Sequence, residues 1–560
     1  MTPRRTEIAG LPQGMGMQAA EPMPPPAPIV LATLNAKYIH ASLGLRCLLA
    51  NMARHGGDDL QARSVLREFT IGRDPQAVVD ALLALQPAIV GLGVYIWNVV
   101  QTTEVVRRLK AARPELLVVL GGPEVSHETD LQPIVALADH VITGWGDVSF
   151  PKLCRALLYG PRPLMKVLVG EQPPLDDLAL PYAQYTEEDL AHRVLYVEAS
   201  RGCPFKCEFC LSSLDQTAWA FALDAFLVEM DALYRRGARH FKFVDRTFNL
   251  KVDVSVRILL FFLDRVGPDL FVHFELIPDH LPERLKALIT RFPPGVLQFE
   301  VGVQSFNPEV QQRIARRQDN ARTQDNLRWL VQHSPAHVHA DLIFGLPGET
   351  LQSFAEGFDR LYALGPHEIQ LGLLKRLRGT PIARHTEAHR MVYDPEPPYT
   401  VRQTAVVDAA TVQRVARMAR YWDQVANSGR FAQTLVLLLQ GPSPFAAFLA
   451  WSDWLWQRAG ATQRLTPEWL VDALGAYLVQ QRGLPLAAVR AVLRADYLAS
   501  GARARPSFLR GVLPPQGLPV ARAVRQRAER QARHGAATGA VTGAMAGATV
   551  DEPQGPKIDA

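Results

Sequence analysis

Cysteine is scarce in this sequence, with five in 560 residues, and its placement is uneven. Cys47 and Cys154 stand alone in apolar helical runs, while Cys203, Cys207 and Cys210 cluster. That pattern excludes a disulfide framework and makes a reducing cytoplasm the expected compartment. Long apolar runs are also lacking. None reaches the roughly 18–20 residues of a membrane helix, which argues against an integral membrane protein. Arg4 and Arg5 are followed by no apolar stretch before Pro24-Pro25-Pro26, so the N-terminus does not read as a signal peptide. A one-signed charge is missing from the body of the chain. The net +5 is more than supplied by Gly501–His534, where eight arginines face one acid, Glu529. The remainder is near neutral and offers no nucleic-acid face. What is present, 48% hydrophobic and 21% charged residues, is the composition of a globular protein, and 560 residues suggest three or four domains.

Residues 1–27 are rich in Pro, Met and Gly and read as a disordered extension. From 28 to 160 the pattern alternates between strand-like runs (Ile29–Leu34, Ser64–Phe69, Ile89–Tyr95, Leu117–Leu120, Val141–Thr143) and helical periods such as Leu43–Arg54 and Pro75–Leu85, the latter capped by Asp74. This predicts an α/β, Rossmann-like (flavodoxin-like) open parallel sheet. Residues 161–193 read as a Pro-rich linker. Six further strands (Leu195–Ala199, Phe241–Asp245, Leu270–Glu275, Gln298–Gly302, Val338–Phe344, Ile369–Leu373) alternate with helices and predict a partial (β/α)6 barrel over 194–395, with chemistry at its strand C-terminal ends. Residues 396–500 read as a mainly helical domain whose tryptophans (422, 451, 454, 456, 469) are core, and 501–560 as a basic low-complexity tail. Arg522, Arg525, Arg527, Arg530 and Arg533 permit anion contact there, although a solvated extension is the expected state.

Directly after the first barrel strand stands Arg201-Gly-Cys203-Pro-Phe-Lys-Cys207-Glu-Phe209-Cys210. Three thiolates can hold a four-iron cluster and leave one iron open for another ligand. A structural zinc site needs a fourth ligand, and neither His192 nor His240 has a suitable spacing; a redox pair needs only two cysteines. Zinc and inert thiols remain the alternatives. The triad, with an aromatic residue just before its third cysteine, resembles the radical S-adenosylmethionine (SAM) superfamily. The resemblance implies a 4Fe-4S cluster on Cys203, Cys207 and Cys210, SAM chelated at the open iron, and reductive cleavage to a 5′-deoxyadenosyl radical. It also implies SAM contacts from Phe209, from Glu275, from Gln304 and Ser305 in Gly302-Val-Gln-Ser-Phe, and from Gly345 in Asp341-Leu-Ile-Phe-Gly-Leu-Pro-Gly348-Glu349, where Asp341 replaces a common Gly. Asp245-Arg246 is either a further contact or a buried ion pair.

Ahead of such a barrel, Gly121-Gly122-Pro-Glu124 and Gly144-Trp-Gly146-Asp147 follow the fourth and fifth strands. Strand-end glycines let a ligand approach the sheet edge. The arrangement resembles the cobalamin-binding radical SAM class, in a subgroup with an uncharacterised helical C-terminal domain, on which Leu373–Pro381, Pro397–Tyr399 and Asn427–Phe431 also bear. The second loop is commonly Gly-Glu-Gly-Glu, so Trp145 and Asp147 depart from it. The resemblance implies cobalamin near Tyr38, His40, Tyr95, Trp97, Gly121, Gly122, Gly144 and Gly146. The loop around Tyr38 and His40 lacks Asp-x-His-x-x-Gly, so His40 is expected to pack rather than to ligate cobalt, with Tyr95–Asn98 under the corrin. The implied enzyme methylates an unactivated carbon or phosphorus centre of an unidentified small molecule, drawing on an external one-electron reductant of flavodoxin or ferredoxin type. A cyclase, isomerase or ring-rearranging enzyme is the nearest alternative and a redox or corrin sensor the next. Lys375, Arg376 and Tyr399 face either the barrel mouth or solvent.

Overall fold

The computed structural model describes residues 29–500, 502 and 504–513. The expected N-terminal extension and the arginines at 522–533 lie outside the described residues. Strands β1 (Ile29–Asn35), β2 (Ser64–Thr70), β3 (Ile89–Gly93), β4 (Leu117–Gly121), β5 (His140–Thr143) and β6 (Val167–Val169) form one parallel sheet in the order β2-β1-β3-β4-β5-β6. Its first five strands follow the flavodoxin-like order, in which ligands settle outside the strand C-termini where the winding reverses. Every residue of β1 is buried, because helices cover both faces. The strand β6 falls inside the stretch read as linker. Three residues among prolines carry no periodic signal, but Val141 pairs with Val167 and adds the strand to the edge. The helix expected over Leu43–Arg54 is broken at Asn51, whose side-chain amide donates to the Cys47 and Ala179 carbonyls. Asp74 caps its helix as expected, accepting from the Ala77 amide.

The second sheet contains β7 (Leu195–Val197) and, after the short antiparallel pair β8 (Ser200–Arg201) and β9 (Trp219–Ala220), the strands β10 (His240–Phe243), β11 (Phe271–Leu276), β12 (Leu297–Gln304), β13 (His337–Phe344) and β14 (Glu368–Leu373). The order β7-β10-β11-β12-β13-β14 is sequential and parallel, and β7 does not pair with β14, so the barrel is partial and open. Its strands alternate. On β13, Val338, Ala340, Leu342 and Phe344 are buried in the layer that packs on helices, while His339, Asp341 and Ile343 line the concave side.

The C-terminal helices (Ala409–Val425, Ala432–Leu438, Pro444–Ala459, Pro467–Gln480, Leu486–Ala499) begin on recognisable caps, including Asp408, Ser443 and Thr466. They share one apolar core with the barrel. Trp422 and Trp451 are fully enclosed, and Trp422 meets Phe358 edge-on with ring centroids 4.9 Å apart. Trp454, Trp456 and Trp469 pack against the same core. Among the described residues no helix is long and apolar enough to cross a membrane.

Candidate functional site

The cysteine loop is pinned from several sides. Gly202 has φ +84°, and a Cβ there would lie 2.5 Å from Thr217 Oγ1, so only glycine fits before Cys203. The Cys203 amide donates to the Asp215 carbonyl at 2.8 Å and the Glu208 amide to the Ile314 carbonyl at 3.0 Å. The buried Glu208 carboxylate is paired with Arg384 and contacts His385 Nε2 at 2.8 Å. These anchors turn the three cysteines into one cavity of about 520 Å³. Burial holds the Cys203 and Cys207 thiols above their usual range, and for Cys207 the guanidinium of Arg316, with Nη1 3.6 Å from Sγ, opposes that rise. Among the described residues no group of three or more His, Cys, Asp or Glu side chains closes around a single metal ion. Three cysteines line one cavity, one ligand short of a closed structural zinc site and as many as a cluster with one open iron needs.

The strand ends complete this cavity. Phe209, Glu275, Glu300, Gln304, Asp341 and Gln370 all line it. Glu275 accepts two hydrogen bonds from Arg246 Nη1, at 2.6 and 2.8 Å; burial still lifts its carboxyl above the usual range. Gln304 adopts φ +70°, and its Oε1 is buried with no hydrogen-bond partner among the described residues. A buried acceptor of this kind is expensive unless a ligand satisfies it. Burial works against Glu300 as an anion, but His273 at 3.2 Å, Lys242 and His339 hold its carboxyl well below the usual range.

A second cavity, of about 340 Å³, opens over the C-terminal edge of the first sheet. Gly91, Gly93, Gly121, Gly122, Gly144 and Gly146 line it together with Tyr95, so a slot runs where side chains would otherwise stand. Gly122 has φ +109° and a Cβ there would fall 2.5 Å from the Val94 carbonyl oxygen; Gly144, at φ +72°, has open space around it. Asn98 holds the adjoining loop by donating to Leu34 O and Gly93 O while accepting from the Tyr95 amide at 2.8 Å.

Three family models match in succession: "B12 binding domain" over residues 29–154, "Radical SAM superfamily" over 197–361, and "Protein of unknown function (DUF4080)" over 387–536. The chain is a radical SAM protein with a B12-binding domain. It is 26% identical over 339 residues to the cobalamin-dependent radical SAM methyltransferase TokK of Streptomyces tokunonensis, covering 53% of this chain and 48% of TokK. It is 28% identical over 248 residues to the uncharacterized methyltransferase PH0819 of Pyrococcus horikoshii, covering 39% of this chain and 52% of that protein. The chain therefore spans about half the length of these relatives. The solved structure of OxsB, a cobalamin-dependent SAM radical enzyme with aqua-cobalamin and SAM bound, aligns with 91% of this chain and 83% of its own at a TM-score of 0.58 and 13% identity, which shows a shared fold.

Several residues singled out from the radical SAM and cobalamin-binding patterns do not line either cavity. Ser305 is buried and donates to Glu349 Oε1 at 2.5 Å, because it continues the alternation that buries Phe299, Val301 and Val303. Gly345, φ +88°, instead makes room for Val401, whose Cγ1 a Cβ would approach to 2.5 Å. His40 contacts Tyr196 Oη through Nδ1 at 2.8 Å and bridges to Val194, a packing role. Tyr38 donates to Glu188 under the guanidinium of Arg193. Trp97 is 45% exposed and stacks on Tyr95 with ring centroids 4.4 Å apart, at the rim rather than in the wall. Asp245 accepts from the Ala199 amide and from Ser200 Oγ, so it neither pairs with Arg246 nor lines either of these two cavities.

The departures at Trp145 and Asp147 have a structural reason. Arg201, two residues before Cys203, donates to Asp147 Oδ2 and Glu198 Oε1, approaches Cys47 Sγ at 3.5 Å and lies 5.0 Å above the Trp145 ring. Trp145 Nε1 donates to Asp215 Oδ2 at 2.9 Å, and Asp215 in turn holds the Cys203 amide. This loop ties the first sheet to the root of the cysteine loop. On the far side, Glu124 accepts from Arg378 and Tyr399, and Glu128 from Arg376 and Arg378. Arg376 and Tyr399 thus serve the domain junction, and Lys375 alone of the three candidates turns into a cavity. Sequence reading noticed Asp341 only as a departure and missed His339, Glu300 and Glu368 beside it on the concave side; the polar residues at every second position of His337-Val-His-Ala-Asp341 were the available signal.

Proposed function

We propose that this radical SAM protein is a cobalamin-dependent methyltransferase acting on an unactivated carbon or phosphorus centre of a small molecule. The carrying observation is the juxtaposition of the two cavities: Arg201 lines the glycine slot and Cys203, two residues on, lines the thiol cavity. Cys203, Cys207 and Cys210 would hold a 4Fe-4S cluster, and Phe209, Glu275 and Gln304 would contact SAM, with the unpartnered Gln304 oxygen accepting from it. The slot of Gly121, Gly122, Gly144 and Gly146 would take the nucleotide tail of cobalamin, with Tyr95 in its wall and Trp97 at its rim. When bound, the cluster and SAM supply a hydrogen-abstracting radical, and cobalamin supplies a transferable methyl group. The chain's own part is to hold the thiolates with Arg316 beside Cys207, to lock the two cavities together through Arg201, and to shield them from water. The relatives named as methyltransferases support transfer of a methyl group over cyclisation or ring rearrangement.

The test is anaerobic. Protein reconstituted with iron, sulfide and hydroxocobalamin, then freed of excess ligand, is expected to retain iron-sulfur and corrin absorbance. With SAM and a reductant it is expected to form 5′-deoxyadenosine. Deoxyadenosine without corrin retention would move the reading to a cobalamin-independent radical enzyme. Corrin or cluster retention without deoxyadenosine would favour the sensor.

A further inference from the structure

A third and larger cavity, of about 790 Å³, lies between the open edge of the barrel and the helix Ala409–Val425. It shares Phe209, Gln304, Asp341, Ile343, Gln370 and Leu377 with the thiol cavity, so the two are continuous. One wall is β14, an edge strand. The other is a helical stripe of Ala416, Ala419, Arg420 and Asp423 at helical spacing, which flanks the core-packed Val415, Met418 and Trp422. Two alanines on that stripe keep the wall low.

The charges are unevenly distributed over this space. Deep inside, the acids are matched by histidines: Asp341 lies 3.1 Å from His339, and Glu368 lies 3.1 Å from His337 and 3.8 Å from His339. At the mouth stand two cations, Lys375 and Arg420, with Asp423 the one acid on the helical wall. Burial and the neighbouring charge of Arg420 hold the Lys375 ammonium below its usual range. Between floor and mouth the lining is apolar, including Ile343, Leu371, Leu373 and Leu377. A volume of this size suits a small-molecule ligand, and a guanidinium beside an ammonium suits a carboxylate or phosphate.

We infer that the domain of unknown function completes a substrate site on the barrel's open side, and that the substrate carries an anionic group bound by Lys375 and Arg420 with an apolar segment reaching toward Phe209. The inference rests on the proposed function, since it places the reacting end of the substrate beside the thiol cavity. Hydrocinnamate and phenyl phosphate serve as anionic probes, with hydrocinnamamide and phenylpropylamine as neutral and cationic counterparts. Binding to the full chain is measured by calorimetry and saturation-transfer NMR. At least one anion is expected to bind in preference to amide and amine, and the stronger of the two identifies carboxylate or phosphate. Lys375→Gln and Arg420→Gln are each expected to weaken that probe about tenfold, and Lys375→Arg to restore most of the loss. Equal binding of amide or amine, no binding of either anion at millimolar concentration, or indifference to both glutamine substitutions overturns the inference. Cluster and corrin absorbance of the same samples reports separately on the proposed function. Anion preference in protein that retains neither would leave the site standing and the enzyme reading fallen.

Discussion

Two six-stranded parallel sheets in this chain solve opposite problems. The first is covered by helices on both faces, so β1 is buried end to end and a ligand can meet only the glycines at the C-terminal part of the sheet and the loops that follow them. The second is covered on one face only. Its outward side carries Phe241, Phe243, Phe274, Phe299 and Phe344 into the core, while its inward side carries histidines and carboxylates around a cavity. The same element type thus yields a site of glycines in one domain and a site of side chains in the other. A covered sheet exposes backbone, and an open barrel exposes chemistry.

The largest expected effect separates the two sites outright. Cys207→Ala is expected to abolish cluster retention and 5′-deoxyadenosine formation while corrin retention on the first sheet persists, as absorbance and product assays would show. Next comes the two-sidedness of the barrel. Phe299→Ala on the outward face should cost about 3–5 kcal/mol in urea unfolding, whereas Gln370→Ala on the open inward face should stay within about 0.5 kcal/mol. Equal costs would falsify the account of the barrel as core on one side and site on the other.

The glycine slot offers a finer contrast. Gly122→Ala meets the Val94 backbone as well as an unfavourable φ and should cost about 2 kcal/mol. Gly144→Ala meets only the φ penalty and should cost about 1 kcal/mol. Loss of corrin retention is expected in the first before the second.

The last contrast is a pH dependence. Burial pushes the Asp245 carboxyl up to about 7, although Ser200 and the Ala199 amide oppose the rise. Between the ordinary carboxylate range and that value the folded chain keeps a proton that the unfolded chain has released. The stability from this group is therefore full below pH ~4 and is lost as pH rises toward about 7, with a slope of at most about 1.4 kcal/mol per pH unit. Glu349, also pushed up to about 7 by burial, adds a slope of the same sign. Asp245→Asn should flatten the stability-pH curve of the wild type over that window, leaving the Glu349 part in place.

Much of this architecture was legible in the sequence because strand and helix periods differ, and because three cysteines after a strand leave few chemical options. All eleven strands read from the apolar pattern are present. The missed strand at Val167–Val169 is held by its partner β5 rather than by its own pattern. The site was read less fully. Gln304 and Glu275 could be placed because each closes a strand, but Ser305 falls on the buried side of the strand alternation and Gly345 answers a packing demand that no short motif encodes. Trp145 and Asp147 could be noticed only as departures, since their partners Asp215 and Arg201 lie more than fifty residues along the chain.

Arg201 carries one more consequence. An apolar interface can slide by an ångström with little change in energy, but a guanidinium shared among Asp147, Glu198 and Cys47 has a single seat. The residue that occupies that seat is also the start of the cysteine loop. A displacement of the first sheet against the barrel therefore pulls on the start of the cysteine loop, and the two cavities share one mechanical anchor.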